Sequence, residues 1–155
     1  MRKKNALRKH FIAPYTDDAT EPAEDAWLPL AHYIETIEDD TKEDTDDQGF
    51  YDGDGSTETV LNGRSEVWNF SGSYDPEDPA QKLLASLRRK TNDEERKVWH
   101  KIIETNGDTV IGIAKAMEIK AGGGDATDYE DFEGHLDFVV SPTVTSAPTG
   151  TGSQA

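Results

Sequence analysis

The chain has 155 residues, 34% of them hydrophobic and 31% charged, with no cysteine and a net charge of −16. That is enough chain for one domain with a modest core, leaving residues over for loops and tails. It excludes a disulfide framework, thiolate metal sites and a membrane-spanning helix, which needs roughly 20 apolar residues in a row. The charge is uneven: residues 1–10 hold Arg2, Lys3, Lys4, Arg8 and Lys9 and no acid, so the remainder is more acidic than the total. That acidic body is a poor nucleic-acid binder, because phosphate binding is driven by Lys and Arg. Arg8, Lys9 and His10 also interrupt any apolar run of signal-peptide length, so a cytoplasm-like compartment is expected.

In chain order, residues 1–26 read as an N-terminal arm: the basic decapeptide, a short strand near Phe11–Tyr15, then a polar stretch. Trp27 to Ile37 reads as a first core strand, with Pro29 marking an edge or bend. Residues 38–57 form an acidic, Gly-containing loop; the wider span 35–58 carries eleven acids and one Lys. Loops of this length in compact domains are functional or disordered. Thr57–Leu61 and Arg64–Tyr74 read as strands joined at Asn62-Gly63, a two-residue hairpin signal. Trp68, Phe70 and Tyr74 fall on one face of the second strand.

A helix is predicted over about 79–90. Asp78 is a suitable N-cap, Pro79 suits the first helical position, and Gln81 stands where a capping box places Glu or Gln. Ala80, Leu83, Leu84 and Leu87 form its apolar stripe, expected to cover Trp68 and Phe70. Arg88, Arg89 and Lys90 place positive charge at the negative end of the helix dipole. Arg96–Thr105 reads as a central strand, apolar on both faces, hairpinned through Asn106-Gly107 to Val110–Ala121. In the latter, Ile111, Ile113, Met117 and Ile119 mark one face, and Gly112, Ala114 and Ala116 the other. Gly122–Gly124 is a flexible turn, Leu136, Phe138 and Val140 mark a last strand, and the uncharged 143–155 reads as a flexible tail. The fold class is mainly β with one flanking helix, and the sheet is mainly antiparallel.

Chemistry-bearing patterns fail one by one. Asp44, Asp46, Gln48 and Gly49 start like a calcium loop, but the twelfth position is Gly55 where a bidentate Glu is needed. His10, His32, His100 and His135 lack metal-ligand spacing. No serine sits in a nucleophile elbow, and Gly122–Gly124 lacks the Lys-Ser/Thr of a phosphate loop. Neither catalysis, a metal nor a cofactor is expected.

The order of features resembles the major tail tube proteins of long-tailed (siphovirus-type) bacteriophages, particularly those of Gram-positive hosts. Four stretches carry the resemblance: Trp27–Ile37 leading into the acidic loop with Tyr51-Asp52-Gly53; Trp68 through Gln81, strand into helix; the hairpin at Asn106-Gly107; and the Gly-rich turn followed by Phe132 and Leu136–Val140. Together they cover roughly residues 27–142, and none is a catalytic signature. The resemblance implies an antiparallel β-sandwich or partial barrel with a flanking helix. It implies a structural virion protein whose hexameric rings stack into a tail tube through which DNA passes without specific binding. Its partners would be its own copies, a tape measure and a terminator protein, with no membrane; it would be assembled in the host cytoplasm. The family's long loop and terminal arms stack ring on ring, which nominates Arg2, Lys3, Lys4, Arg8 and Lys9 against Asp44, Asp46, Asp47, Tyr51, Asp52 and Asp54. Two alternatives stay open: a tail terminator or a contractile or secretion-system tube protein of the same fold, and a monomeric acidic binding module.

Overall fold

The computed structural model describes residues 1–147. Among these residues are ten strands and one α-helix: β1 (Lys9–Pro14), β2 (Leu28–Pro29), β3 (Ile34–Asp39), β4 (Lys42–Gln48), β5 (Glu58–Ser65), β6 (Val67–Ser73), α1 (Pro79–Leu87), β7 (Lys97–Ile103), β8 (Thr109–Ala121), β9 (Asp131–Phe138) and β10 (Thr143–Thr145). The main sheet is antiparallel throughout, in the order β2-β1-β7-β8-β9-β6-β3, and it curls into a half-barrel. β10 lies beside the first part of β8, through Thr143–Ile111 and Thr145–Thr109. The mainly β class with one flanking helix is therefore what the chain adopts.

The core fills the concave side. Ile12, Trp68, Phe70, Leu84, Val98, Ile102, Phe132, Leu136 and Phe138 are buried there, and Ala114 and Ala116 of β8 keep the floor low beneath them. The expected division of β8 into two faces holds up to Met117, with the small-residue face pointing inward and Ile111, Ile113 and Met117 half-buried on the other side; only Ile119 departs from it. Ile119 joins the core because the register with β9 shifts between Met117 and Lys120. Glu118, at φ +52, sits in that bulge, which exchanges the two faces for the rest of the strand. Val140 lies beyond β9 and is exposed, so the last core strand ends at Phe138.

α1 starts as predicted: the Asp78 carboxylate accepts from the Gln81 backbone N–H at 3.2 Å, and Pro79 occupies the first turn. The Gln81 side chain does not complete a capping box. It is fully buried, accepts from the Asp75 N–H at 2.7 Å and donates to the carbonyls of His32 and Ser73. One amide thereby satisfies three backbone groups where the helix meets the ends of β2 and β6. The leucine stripe packs into the core with Leu84 fully buried, but Leu83 and Leu87 are half-buried, and the helix rests chiefly on β8, β1 and β2. Its C-terminus is held by arginines: Arg88 donates to the Ala121 carbonyl, and Arg96 to the carbonyls of Lys90, Ala116 and Arg88.

Three further readings are corrected. The stretch 9–14 is no free arm: β1 pairs along its whole length with β7, and Ile12 and Ala13 are fully buried. Trp27–Ile37 is two strands, broken at Tyr33, whose φ of +59 turns the chain. Gly72 faces that turn, where a Cβ would lie 2.1 Å from the Tyr33 carbonyl oxygen. Finally, Asn62-Gly63 is not a turn. Both residues lie inside β5, where Gly63 pairs with Asp44 and Leu61 with Thr45, leaving Asn62 as the extra residue of a bulge. The chain reverses instead at 49–57, because Lys42–Gln48 is itself a strand. At Asn106-Gly107 the hairpin is present, with Gly107 at φ +96. Of the expected tail, 143–145 is strand and 148–155 lies outside the described residues.

Candidate assembly surface

β3 runs into β4, and β5 runs into β6, so the β3–β6 ladder continues as the β4–β5 ladder. Asp39 pairs with Trp68, and Lys42 already pairs with Ser65. The result is one long ribbon whose outer half belongs to no larger sheet. At ~3.4 Å per residue, the seven residues of β4 carry it roughly 24 Å beyond the main sheet. Almost every residue of β4 and β5 is exposed, as are Phe50 and Tyr51 at the tip. A two-stranded hairpin with no covered face is marginal in water.

The acidic candidates sit along it. Asp44, Asp46 and Asp47 are on β4; Tyr51, Asp52 and Asp54 are in the tip. Asp44, Asp46 and Gln48 share one face of an extended strand at roughly 7 Å intervals, a geometry that does not converge on one ion. Asp47 accepts from the Thr59 hydroxyl, and the Ser56 N–H lowers the pKa of Asp54 by hydrogen bonding to its carboxylate. Cations at the ribbon's base are paired locally: Lys42 with Asp40, Arg64 with Glu43 and Glu66. Outward from there, residues 44–63 hold six acids and no cation.

The basic candidates are placed at the same end of the sheet. β1 enters at Lys9, level with Ile103, where β7 ends and β8 is about to begin. Arg8 pairs with Glu104 at 2.6 Å, Lys3 donates to the Thr105 carbonyl, and Lys9 to that of Ala6. Arg2 and Lys4 are exposed. Among the described residues no ion pair joins the basic segment to the acidic ribbon of the same chain.

Behind the basic segment lies a histidine pair that periodicity alone does not single out. His10 Nδ1 and His100 Nε2 are 3.1 Å apart in the core, with His10 edge-on to Trp68 and His100 stacked on Phe138. Burial, reinforced by the Arg8 charge, lowers the pKa of His10 to about 4; burial and then His10 push His100 well below its ordinary value. Both are neutral at pH 7. Their pairing was hidden because it depends on β1 lying beside β7, which no local pattern announces.

The convex side carries a different histidine. His135 lies between Asp137 on one ring nitrogen and Glu118 on the other, the latter at 2.9 Å. Burial lowers its pKa, but the two carboxylates together outweigh burial and the net shift is upward. Further along this side, Trp99, Ile111, Ile113, Val139, Val140 and Pro142 line an open groove. The buried Trp99 indole N–H makes no hydrogen bond among the described residues. Among the described residues, no cluster of three His, Asp or Glu could hold a metal ion, and no helix is long and apolar enough to cross a membrane.

No protein-family model and no curated protein matches the sequence. Solved structures do match the fold. The tail of an empty gene transfer agent particle, computed with helical refinement and C6 symmetry, superposes with a TM-score of 0.70 at 11% identity, covering 94% of this chain and 100% of the other. A chain from the virion of a native gene transfer agent particle gives 0.69 at 11% identity, with the same coverage. The tube-terminating cap of an anti-feeding prophage gives 0.51 at 14% identity, over 89% of this chain and 88% of the other. The chain thus has the tail-tube type of fold, and the resemblance drawn from its sequence holds at the level of that fold.

Proposed function

We propose that this chain is a structural tail protein whose copies form six-membered rings stacked into a tube that DNA traverses. The observation that carries the proposal is the end-to-end match of its fold to a chain in a C6, helically arranged tail. Two features support it. The ribbon projects without cover, and the sheet has unpaired edge strands, a liability in a monomer that pairing between copies removes. At −16 per copy, acids facing a lumen repel DNA and keep it mobile. The role is structural, in a virion tail assembled in the host cytoplasm; tape measure and terminator proteins are its other partners.

The likeness to a tube-terminating cap supports a second reading, in which assembly stops at one ring. Size-exclusion chromatography with negative-stain microscopy of the purified chain separates the readings. Long tubes are expected. Single rings at all concentrations would support the terminator, and monomers alone would overturn both in favour of an acidic binding module.

A further inference from the structure

The basic decapeptide and the acidic ribbon leave the same end of the sheet. In a head-to-tail stack every copy points the same way, so features sharing one end face the next ring together and do not face each other. The ribbon's counterpart has to be sought at the opposite end, where β8 finishes at Ala121, β9 starts at Asp131, β6 finishes at Ser73 and β3 starts at Ile34.

That end offers one basic surface. Residues 79–90, which include α1, contain Lys82, Arg88, Arg89 and Lys90 and no acid. Arg88 anchors the last turn to the Ala121 carbonyl, which fixes this cluster at the end of β8. Lys82, Arg89 and Lys90 are exposed, and only Lys90 has an acidic neighbour, Glu95 at 3.8 Å. The other acids of the following turn are matched at home, Glu94 by Lys97 and Asp93 by Lys115. Lys120, the one exposed cation of β8 itself, has Glu133 beside it at 3.8 Å, and the projections that remain at this end are acidic: Asp75, Glu77 and Asp78 before the helix, and Asp125, Asp128, Glu130 and Asp131 around the glycine turn. They repel a ribbon whose residues 44–63 carry six acids, leaving the helix end as the surface that attracts it. The exposed Phe50 and Tyr51 at the ribbon tip suit it as well, since guanidinium groups stack on aromatic faces.

We propose that the acidic β4–β5 ribbon of one copy docks on the basic surface formed by Lys82 of α1 and by Arg89 and Lys90 just past its C-terminus, in a copy of the next ring. This rests on the tube reading and names the receiving surface within it. The basic decapeptide, bound to its own β7–β8 turn, is then not the stacking partner that charge alone suggests.

Because the chain lacks cysteine, the contact is testable by site-specific cross-linking of the full chain with a short bismaleimide. Asp52→Cys combined with Arg89→Cys should give a ladder of linked copies on a denaturing gel. Asp52→Cys combined with Lys4→Cys should not. A ladder only from the second pair, or from neither pair while tubes form, overturns the docking but leaves the tube reading intact. A parent chain that forms neither rings nor tubes overturns the tube reading and the docking with it. In a parallel arm, Lys82→Glu/Arg89→Glu/Lys90→Glu should keep its thermal melt and lose its tubes. Adding Asp44→Lys/Asp46→Lys/Asp47→Lys to the same chain should restore them, because the charges are then exchanged across the contact. Tubes of parental length from the triple Glu variant would refute the assignment.

Discussion

Acid should loosen this fold through its buried histidines, His10 foremost. His10 titrates at about 4 in the folded chain, chiefly because it is buried against His100 and Trp68 and secondarily because Arg8 lies beside it. Arg8 is itself held by Glu104, so its charge stays in place. In the unfolded chain the ring titrates near 6.5. Between these values the unfolded state binds a proton that the folded state refuses, so stability is complete above pH 6.5 and falls as pH drops towards 4. Integrated over that window, His10 alone costs about 2 kcal/mol at pH 5 and about 3 kcal/mol by pH 4. His100 acts in the same direction. Acidification also relieves repulsion among 32 acids, which opposes the loss. The comparison is therefore with His10→Gln, which keeps a polar partner for His100 and does not titrate. Urea unfolding at pH 7.5, 6 and 5 should show the parent losing about 2 kcal/mol more than the variant between the first and last. Parallel pH dependence in the two proteins would show that His10 is not buried as a neutral ring and that β1 does not sit where its pairing places it.

Three other perturbations test the architecture. Leu84→Ala should lower stability by about 2–5 kcal/mol, since the side chain is fully buried beneath the sheet; a thermal shift near zero would remove α1 from its position. Gly72→Ala should be worse tolerated than its size suggests, because the new Cβ meets the Tyr33 carbonyl oxygen, a backbone atom with nowhere to move; an unchanged melting temperature would refute the Tyr33 turn. Deleting residues 1–4 should leave the melt unchanged, whereas deleting residues 1–10 should lower it by removing the first two residues of β1 and with them the His10–His100 contact; equal melts would return Lys9–Pro14 to a free arm.

What the sequence discloses follows the reach of each interaction. The helix is legible because its signals are local: Asp78, Pro79 and the Leu83, Leu84, Leu87 spacing all lie within ten residues. The central strand β7 and its hairpin are legible for the same reason. The ribbon is not, because Lys42–Gln48 has neither alternation nor apolar residues. It is a strand by virtue of pairing with β5, and that pairing turns an apparent Asn-Gly turn into a bulge. β1 is legible as a short strand near Phe11–Tyr15, but its place in the sheet is not, because β7, which fixes it, lies some 90 residues further on. Which face of β8 points inward could not be read from hydrophobicity. The larger Ile111, Ile113 and Met117 look outward, and small residues look inward because aromatic rings from β6 and β9 fill the space above them. The charge contrast between the decapeptide and 35–58 was visible at once, but which end of the sheet each leaves from depends on topology.

That topology bears on how assembly ends as well as how it grows. In the proposed tube, a contact between the ribbon at one end and α1 at the other would use two different surfaces of each copy, so every added ring would present a fresh ribbon or a fresh helix end. Such a contact has no intrinsic stopping point, and length has to be set from outside. A terminating partner would then carry one half of the pair and lack the other. If it caps the ribbon end, it needs a basic surface that accepts residues 44–63 and no acidic ribbon of its own. If it caps the helix end, it needs an acidic segment facing Lys82, Arg89 and Lys90. Salt distinguishes this contact from lateral pairing of sheet edges. The former is exposed charge screened over roughly 8 Å at physiological ionic strength, and the latter is backbone hydrogen bonding that salt does not screen. Raising the salt should therefore shorten tubes into rings before it dissolves the rings.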